Sequence, residues 1–86
     1  MDKYYVYICD YCERDKRVIE ITKEEYDILF PYSMILSDGD SEIPDNISEI
    51  IFDNAEDTIT DRDPVDLRRS EIENWDFTNT ITISIC

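Results

Sequence analysis

The two ends of the chain carry the hydrophobic patterns of β-strands. Residues 3–9 (KYYVYIC) are aromatic and β-branched almost throughout, and residues 17–22 (RVIEIT) repeat this character after a charged stretch. These two runs predict a β-hairpin. Over residues 77–85 apolar side chains alternate with polar ones, mostly threonine, and this period of two predicts a third strand.

Helical patterns occupy the middle of the chain. Thr22 and Glu25 have the spacing of a capping box, which predicts a short helix over residues 23–30 that ends at Pro31. A second short helix is predicted around Asn46 and Glu49, which could cap it, although the run ISEIIF would also suit a strand. This helix would bury a stripe of isoleucines at helical spacing, namely Ile43, Ile47, Ile50 and Ile51.

A third helix is predicted from an Asp-Pro pair. Asp63 can cap a helix, and Pro64 suits the first helical position because the missing N–H is not needed there. The pattern carries this helix to about Trp75.

The length and composition predict one folded domain. A chain of 86 residues, with 42% hydrophobic and 12% aromatic residues, is too short for two cores and too apolar for disorder. We therefore expect residues 1–86 to form a single acidic α+β domain. Its small, mostly antiparallel sheet would combine the N-terminal hairpin with the C-terminal strand and pack against one to three short helices.

The charge excludes several classes of function. Twenty-two acidic residues stand against eight basic ones, which gives a net charge of -14, and histidine is absent. Such a chain is unsuited to direct binding of nucleic acid or of an anionic membrane. Without histidine it cannot form a Ser-His-Asp or Cys-His catalytic site, and one glycine cannot build a phosphate-binding loop. We expect no enzyme activity.

The acids are concentrated in residues 38–63, which we call the acidic segment. It contains ten acids against Arg62 alone. Those ten residues are the predicted partner-binding residues: Asp38, Asp40, Glu42, Asp45, Glu49, Asp53, Glu56, Asp57, Asp61 and Asp63.

Like charges packed together oppose folding unless a cationic partner covers them. If extended, Asp38, Asp40 and Glu42 would lie about 6.6 Å apart on one side, and acids from Glu49 onward would line one helix face about 6 Å apart. Such rows could occupy a groove that binds phosphates. The sequence thus favours a stoichiometric inhibitor of a basic nucleic-acid-binding protein or nuclease that acts by DNA mimicry. A solvated face that keeps a small protein dispersed is the alternative explanation of the charge.

In its small size and acidity the chain is similar to DNA-mimic inhibitors encoded by phages and mobile elements, such as inhibitors of uracil-DNA glycosylase or of CRISPR nucleases. The similarity is one of composition and implies an anti-restriction or anti-CRISPR type of role. An immunity protein that covers a basic nuclease toxin would need the same surface. Either binder would take its specificity from aromatic anchors, for which Tyr32, Phe52 and Trp75 are candidates, although each could equally belong to the core.

The cysteines offer an alternative of another class. Cys9 and Cys12 lie between two predicted strands, as the first ligand pair of a zinc knuckle does, and the surrounding sequence resembles half of a zinc ribbon. Cys86 is the one further cysteine, so an aspartate, a water or a second chain would have to complete the four ligands, the last of these making a homodimer. Against this, Glu13 replaces the glycine usual after the second cysteine. The favoured interpretation is that Cys9 and Cys86 are buried on adjacent strands and Cys12 lies in the turn.

The chain begins without a basic region followed by a long apolar run, and it has no apolar stretch of membrane-spanning length. We therefore expect a cytoplasmic protein whose three cysteines are free thiols or metal ligands rather than a disulfide framework.

Overall fold

The structure, a computed structural model, describes residues 2–38, 42–53 and 58–85. Its strands are β1 (Tyr4–Asp10), β2 (Asp15–Ile21) and β3 (Thr80–Ile85). Its helices are α1 (Lys23–Leu29), α2 (Ser33–Asp38), α3 (Asp45–Ser48) and α4 (Arg69–Glu73), with 3₁₀ turns at Phe30–Tyr32 and Ile59–Asp61 and a π-helical turn at Glu49–Asp53. The predicted α+β class, with an N-terminal hairpin and a C-terminal strand in one sheet, is confirmed.

The sheet is mixed and has the strand order β2-β1-β3. β1 pairs antiparallel with β2 but parallel with β3, so that Val6 stands opposite both Ile19 and Ile81. This register places one set of alternating aliphatic side chains on the core face of the sheet: Val6, Ile8, Ile19, Ile21, Ile81 and Ile83. β3 runs parallel to β1 because the long connection after β2 returns the chain to the end of the sheet where β1 begins.

The hairpin turn is organised by Asp10. Its Oδ1 accepts hydrogen bonds from the backbone N–H groups of Cys12 and Glu13, at 3.1 and 3.0 Å. Arg14 then adopts a positive φ of 55°, which reverses the chain into β2. These hydrogen bonds and the positive φ of Arg14 fix the conformation of the hairpin turn.

The capping box at the start of α1 is confirmed. The Thr22 hydroxyl accepts from the Glu25 N–H at 3.1 Å, and the Glu25 carboxylate accepts from the Thr22 N–H at 3.0 Å. Pro31, however, does not end the helical path, which continues through the 3₁₀ turn into α2. A proline near the start of a 3₁₀ turn is tolerated because its missing N–H is not needed there.

The predicted second helix is present as α3 and the π-helical turn, with Ile47 and Ile51 fully buried. Pro44 rather than Asn46 occupies its N-cap position.

The helix predicted from Asp63 and Pro64 is wrong in its start. Residues 63–68 are not helical, and only α4 forms. The Val65 N–H donates to the Val18 carbonyl on β2 at 2.7 Å instead of entering a helix. This hydrogen bond uses an N–H group that the Asp63 side chain would otherwise cap, and it holds residue 65 beside β2.

The core lies between one face of the sheet and the helices that follow β2. It is formed by fully or almost fully buried aliphatic side chains: Val6, Ile8, Ile19, Ile21, Leu29, Leu36, Ile47, Ile51, Ile59, Ile81 and Ile83. The residues after the acidic segment cover the opposite face, where Trp75 contacts Tyr5 edge-on and Phe77 packs on Tyr7.

The last strand begins later than the sequence pattern suggests. Phe77 packs on the second face of the sheet, a turn at residues 78–79 follows, and Asn79 has a positive φ of 53° before β3 starts at Thr80. In the described ranges no helix is long and apolar enough to cross a membrane.

Candidate partner-binding site

The acidic side chains that the structure describes in the acidic segment are exposed. The segment follows the end of α2, passes through α3 and the π-helical turn, and ends beyond the second 3₁₀ turn. Six of the ten predicted binding residues have described side chains, and all six are exposed: Asp38, Glu42, Asp45, Glu49, Asp61 and Asp63. Asp53 is described only as part of the π-helical turn, and Asp40, Glu56 and Asp57 lie outside the described residues.

Of the two rows that the spacing predicts, the extended one does not begin at Asp38, and the helical one continues from Glu49 into residues that lie partly outside the described ranges. Asp38 is the last residue of α2 and is therefore helical, so an extended row cannot start there. Asp45 and Glu49 are four residues apart along α3 and its continuation, which places both on one face about 6 Å apart. The segment presents clustered negative charge, with regular spacing over this one turn.

The described bases lie mainly against other acids. Arg62, the one base of the segment, makes two hydrogen bonds to the Glu25 carboxylate on α1, at 2.9 and 2.6 Å. Four further ion pairs also use acids outside the segment: Lys3–Glu20, Arg17–Asp15, Lys23–Asp27 and Arg69–Glu73. Four bases outside the segment, namely Lys3, Arg17, Lys23 and Arg69, are therefore paired with acids that are also outside it.

The Glu25–Arg62 pair anchors the end of the segment to α1. Both side chains are mostly buried, with exposures of 19% and 27%. The hydrogen bonds from Arg62 hold the pKa of Glu25 below its ordinary value, against the opposing effect of burial. This buried pair therefore has a structural role.

An open cleft of about 430 Å³ adjoins the acidic segment. It lies where the hairpin turn meets the end of β3, since the Tyr11 N–H donates to the Ile85 carbonyl at 2.9 Å. The residues that line it come from four separate parts of the chain: Asp10, Cys12, Glu13, Ile43, Phe52, Ser84 and Ile85.

The cleft combines apolar walls with negative charge. Ile43, Phe52 and Ile85 are partly buried and pack against the core, while Glu13 is exposed at the turn. Among the lining residues that the structure describes, two are acidic and none is basic. A positively charged group with an apolar stem would find complementary surroundings here.

The three candidate aromatic anchors lie in different surroundings. Tyr32 is partly buried against the core, and Trp75 is held by its ring contact with Tyr5 and by its Nε1–H, which donates to the Thr80 hydroxyl at 3.3 Å. Phe52 alone among the three lines the cleft beside the acidic segment.

The predicted metal ligands do not act as a pair. Cys9 is a partly buried free thiol on β1, and burial raises its pKa above the ordinary value. Cys12 is in a disulfide bond, which corrects the expectation of a free thiol and removes this sulfur as a zinc ligand. Within the described ranges no group of three or more His, Cys, Asp or Glu residues is placed to hold a metal ion.

Sequence reasoning missed the cleft residues outside the acidic segment. Asp10 and Glu13 are distant in sequence from Ile43 and Phe52, and the parallel pairing of β1 with β3 sets Asp10 beside Ile85, which also lines the cleft. The one local signal was the turn-forming aspartate at the end of a strand. No family model, curated protein or solved structure matches the chain.

Proposed function

We propose that this protein is a stoichiometric inhibitor of a basic nucleic-acid-binding protein or nuclease, and that the acidic segment covers the phosphate-binding groove of that target. The observation that carries the proposal is the exposure of all six acidic side chains described in the segment, together with the pairing of four bases outside the segment with acids that are also outside it. Clustered carboxylates imitate the charge of a nucleic-acid backbone.

The electrostatic repulsion between neighbouring acids of the segment supports a binding role. Asp45 and Glu49 face the same way one turn apart, and like charges at this spacing destabilise a helix by about 0.2–0.5 kcal/mol. A cationic partner converts this repulsion into attraction and speeds association. The free protein therefore carries an electrostatic repulsion, which binding of a cationic partner relieves.

The proposed mechanism is occupation of a site, without catalysis and without direct binding to nucleic acid or membrane. A cytoplasmic location suits a target that handles nucleic acid, and a phage or mobile-element inhibitor of a defence nuclease fits this mode. An immunity protein against a nuclease toxin would use the same surface. The identity of the bound protein separates these two versions.

The test is affinity capture followed by displacement. The immobilised protein is exposed to nuclease-treated bacterial lysate at low salt, bound proteins are eluted with a salt gradient, and they are identified by mass spectrometry. We expect selective retention of one nucleic-acid-binding protein that added DNA or RNA displaces. Retention of an unselective set of basic proteins, all eluting at low salt, would contradict the proposal and leave the charge as a solvated face.

A further inference from the structure

The cleft beside the acidic segment has the composition of a pocket for one side chain. Its volume is about 430 Å³, and its apolar walls come from Ile43, Phe52 and Ile85. Asp10 and Glu13 also line the cleft. An apolar side chain alone would leave these two acids without a positively charged partner, whereas a small anion would be repelled.

The Asp10 carboxylate is held in place by the turn itself. Both of its described hydrogen bonds, from the N–H groups of Cys12 and Glu13, go to Oδ1. Such bonds orient the carboxylate but bring no positive side chain to it. None of the ion pairs among the described residues uses Asp10, although Arg14 and Lys16 line a neighbouring cavity with it.

We propose that this cleft binds an arginine side chain of the partner protein, an inference that rests on the proposed inhibitory function. The aliphatic stem would pack on Ile43 and Ile85, and the planar guanidinium would reach the Asp10 and Glu13 carboxylates beside the Phe52 ring. Arginine suits such a site because its guanidinium is weakly hydrated, stacks on aromatic rings and forms paired hydrogen bonds with carboxylates. A second copy of this chain is a poor occupant, since each copy carries a net charge of -14.

The experiment uses the purified full-length protein and a small probe. N-acetyl-arginine-amide is titrated into ¹⁵N-labelled protein, and amide shifts are followed by NMR. We expect saturable shifts at Cys12, Glu13, Ser84 and Ile85, with much smaller shifts from the uncharged citrulline analogue and from methylguanidinium, which lacks the stem. Equal shifts from citrulline, or arginine-induced shifts that spare all the residues lining the cleft, would overturn the assignment.

Two variants test whether the probe binds at the cleft or only responds to the overall negative charge. Glu13 is exposed, so Glu13→Gln leaves the fold intact and should weaken probe binding about two- to fivefold, the size expected for one accessible ion pair. Glu20→Gln removes an exposed acid that lines no part of the cleft and should change nothing. Equal weakening by both variants would show that only overall charge attracts the probe.

The probe titration and the capture experiment test the two proposals separately. Loss of probe binding with retained capture of a nucleic-acid-binding protein would reject the arginine cleft alone. Failure of the capture experiment with normal probe binding would reject the inhibitory function alone.

Discussion

One ion pair attaches the end of the acidic segment to α1. Arg62 reaches across to Glu25 on α1, and the same carboxylate also caps that helix. One side chain therefore joins the local helix start to a contact that spans 37 residues.

This contact predicts a pH-dependent contribution to stability. Because the folded-state pKa of Glu25 is lowered, its contribution is present above the unfolded value of about 4.3 and is lost as the pH falls through the folded value. Glu25→Gln should lower the free energy of unfolding by about 1 kcal/mol at pH 7.

Chemical denaturation of both proteins between pH 7 and pH 2 measures this difference. The two unfolding free energies should converge at low pH. A constant difference across that range would mean that charge on Glu25 contributes nothing.

The cysteines allow a second test at this scale. Cys9 is partly buried with a raised pKa, so iodoacetamide should modify it more slowly at pH 8 than it modifies glutathione. Cys12 is disulfide-bonded and should be modified only after reduction. Mass spectrometry of digested protein reads both sites, and rapid labelling of Cys12 without reductant would contradict the structure.

At the scale of elements, the helices that carry the acids depend on packing. α3 spans only four residues, too few for an isolated helix, and it is held by the fully buried Ile47. Ile47→Val should therefore lower the free energy of unfolding by about 1 kcal/mol.

Ile28→Val is the matched control, because Ile28 lies on α1 with 47% of its surface exposed. Thermal or chemical denaturation should show a clearly smaller loss for this variant. Equal losses would mean that α3 is not fixed through Ile47.

Elements defined by local interactions were predictable from sequence. The hairpin follows from β-branched and aromatic runs, and α1 follows from the reciprocal hydrogen bonds of Thr22 and Glu25. A segment whose local signal is opposed by a distant contact was not. The segment beginning at Asp63 has a helix-start signal, but Val65 instead bonds to β2.

The candidate site, too, was predictable from the sequence only in part. The exposed acids were identified from composition and charge clustering, because a run of carboxylates has few alternatives to solvent. The cleft required the parallel register of β1 and β3, which no local pattern specifies. Phe52 was singled out only as a large aromatic residue close to the acids.

At the scale of the whole molecule, the distribution of charge is the central feature. The net charge is -14, and the acidic segment contributes exposed carboxylates from several consecutive elements. If these acids serve binding, their replacement should have opposite effects on stability and on complex formation. Repulsion within the free protein falls, while attraction to a basic partner is lost.

The most direct measurement compares two double variants in binding to the captured protein. Glu49→Lys with Asp63→Lys reverses two exposed charges of the acidic segment, and Asp2→Lys with Asp66→Lys makes the same change in net charge elsewhere. We expect the first pair to weaken binding at least about tenfold, or about 1.4 kcal/mol, with unchanged or increased stability, and the second pair to weaken it much less. Equal binding by the two double variants would contradict the account, because the acidic segment would then be no more than a solvated surface.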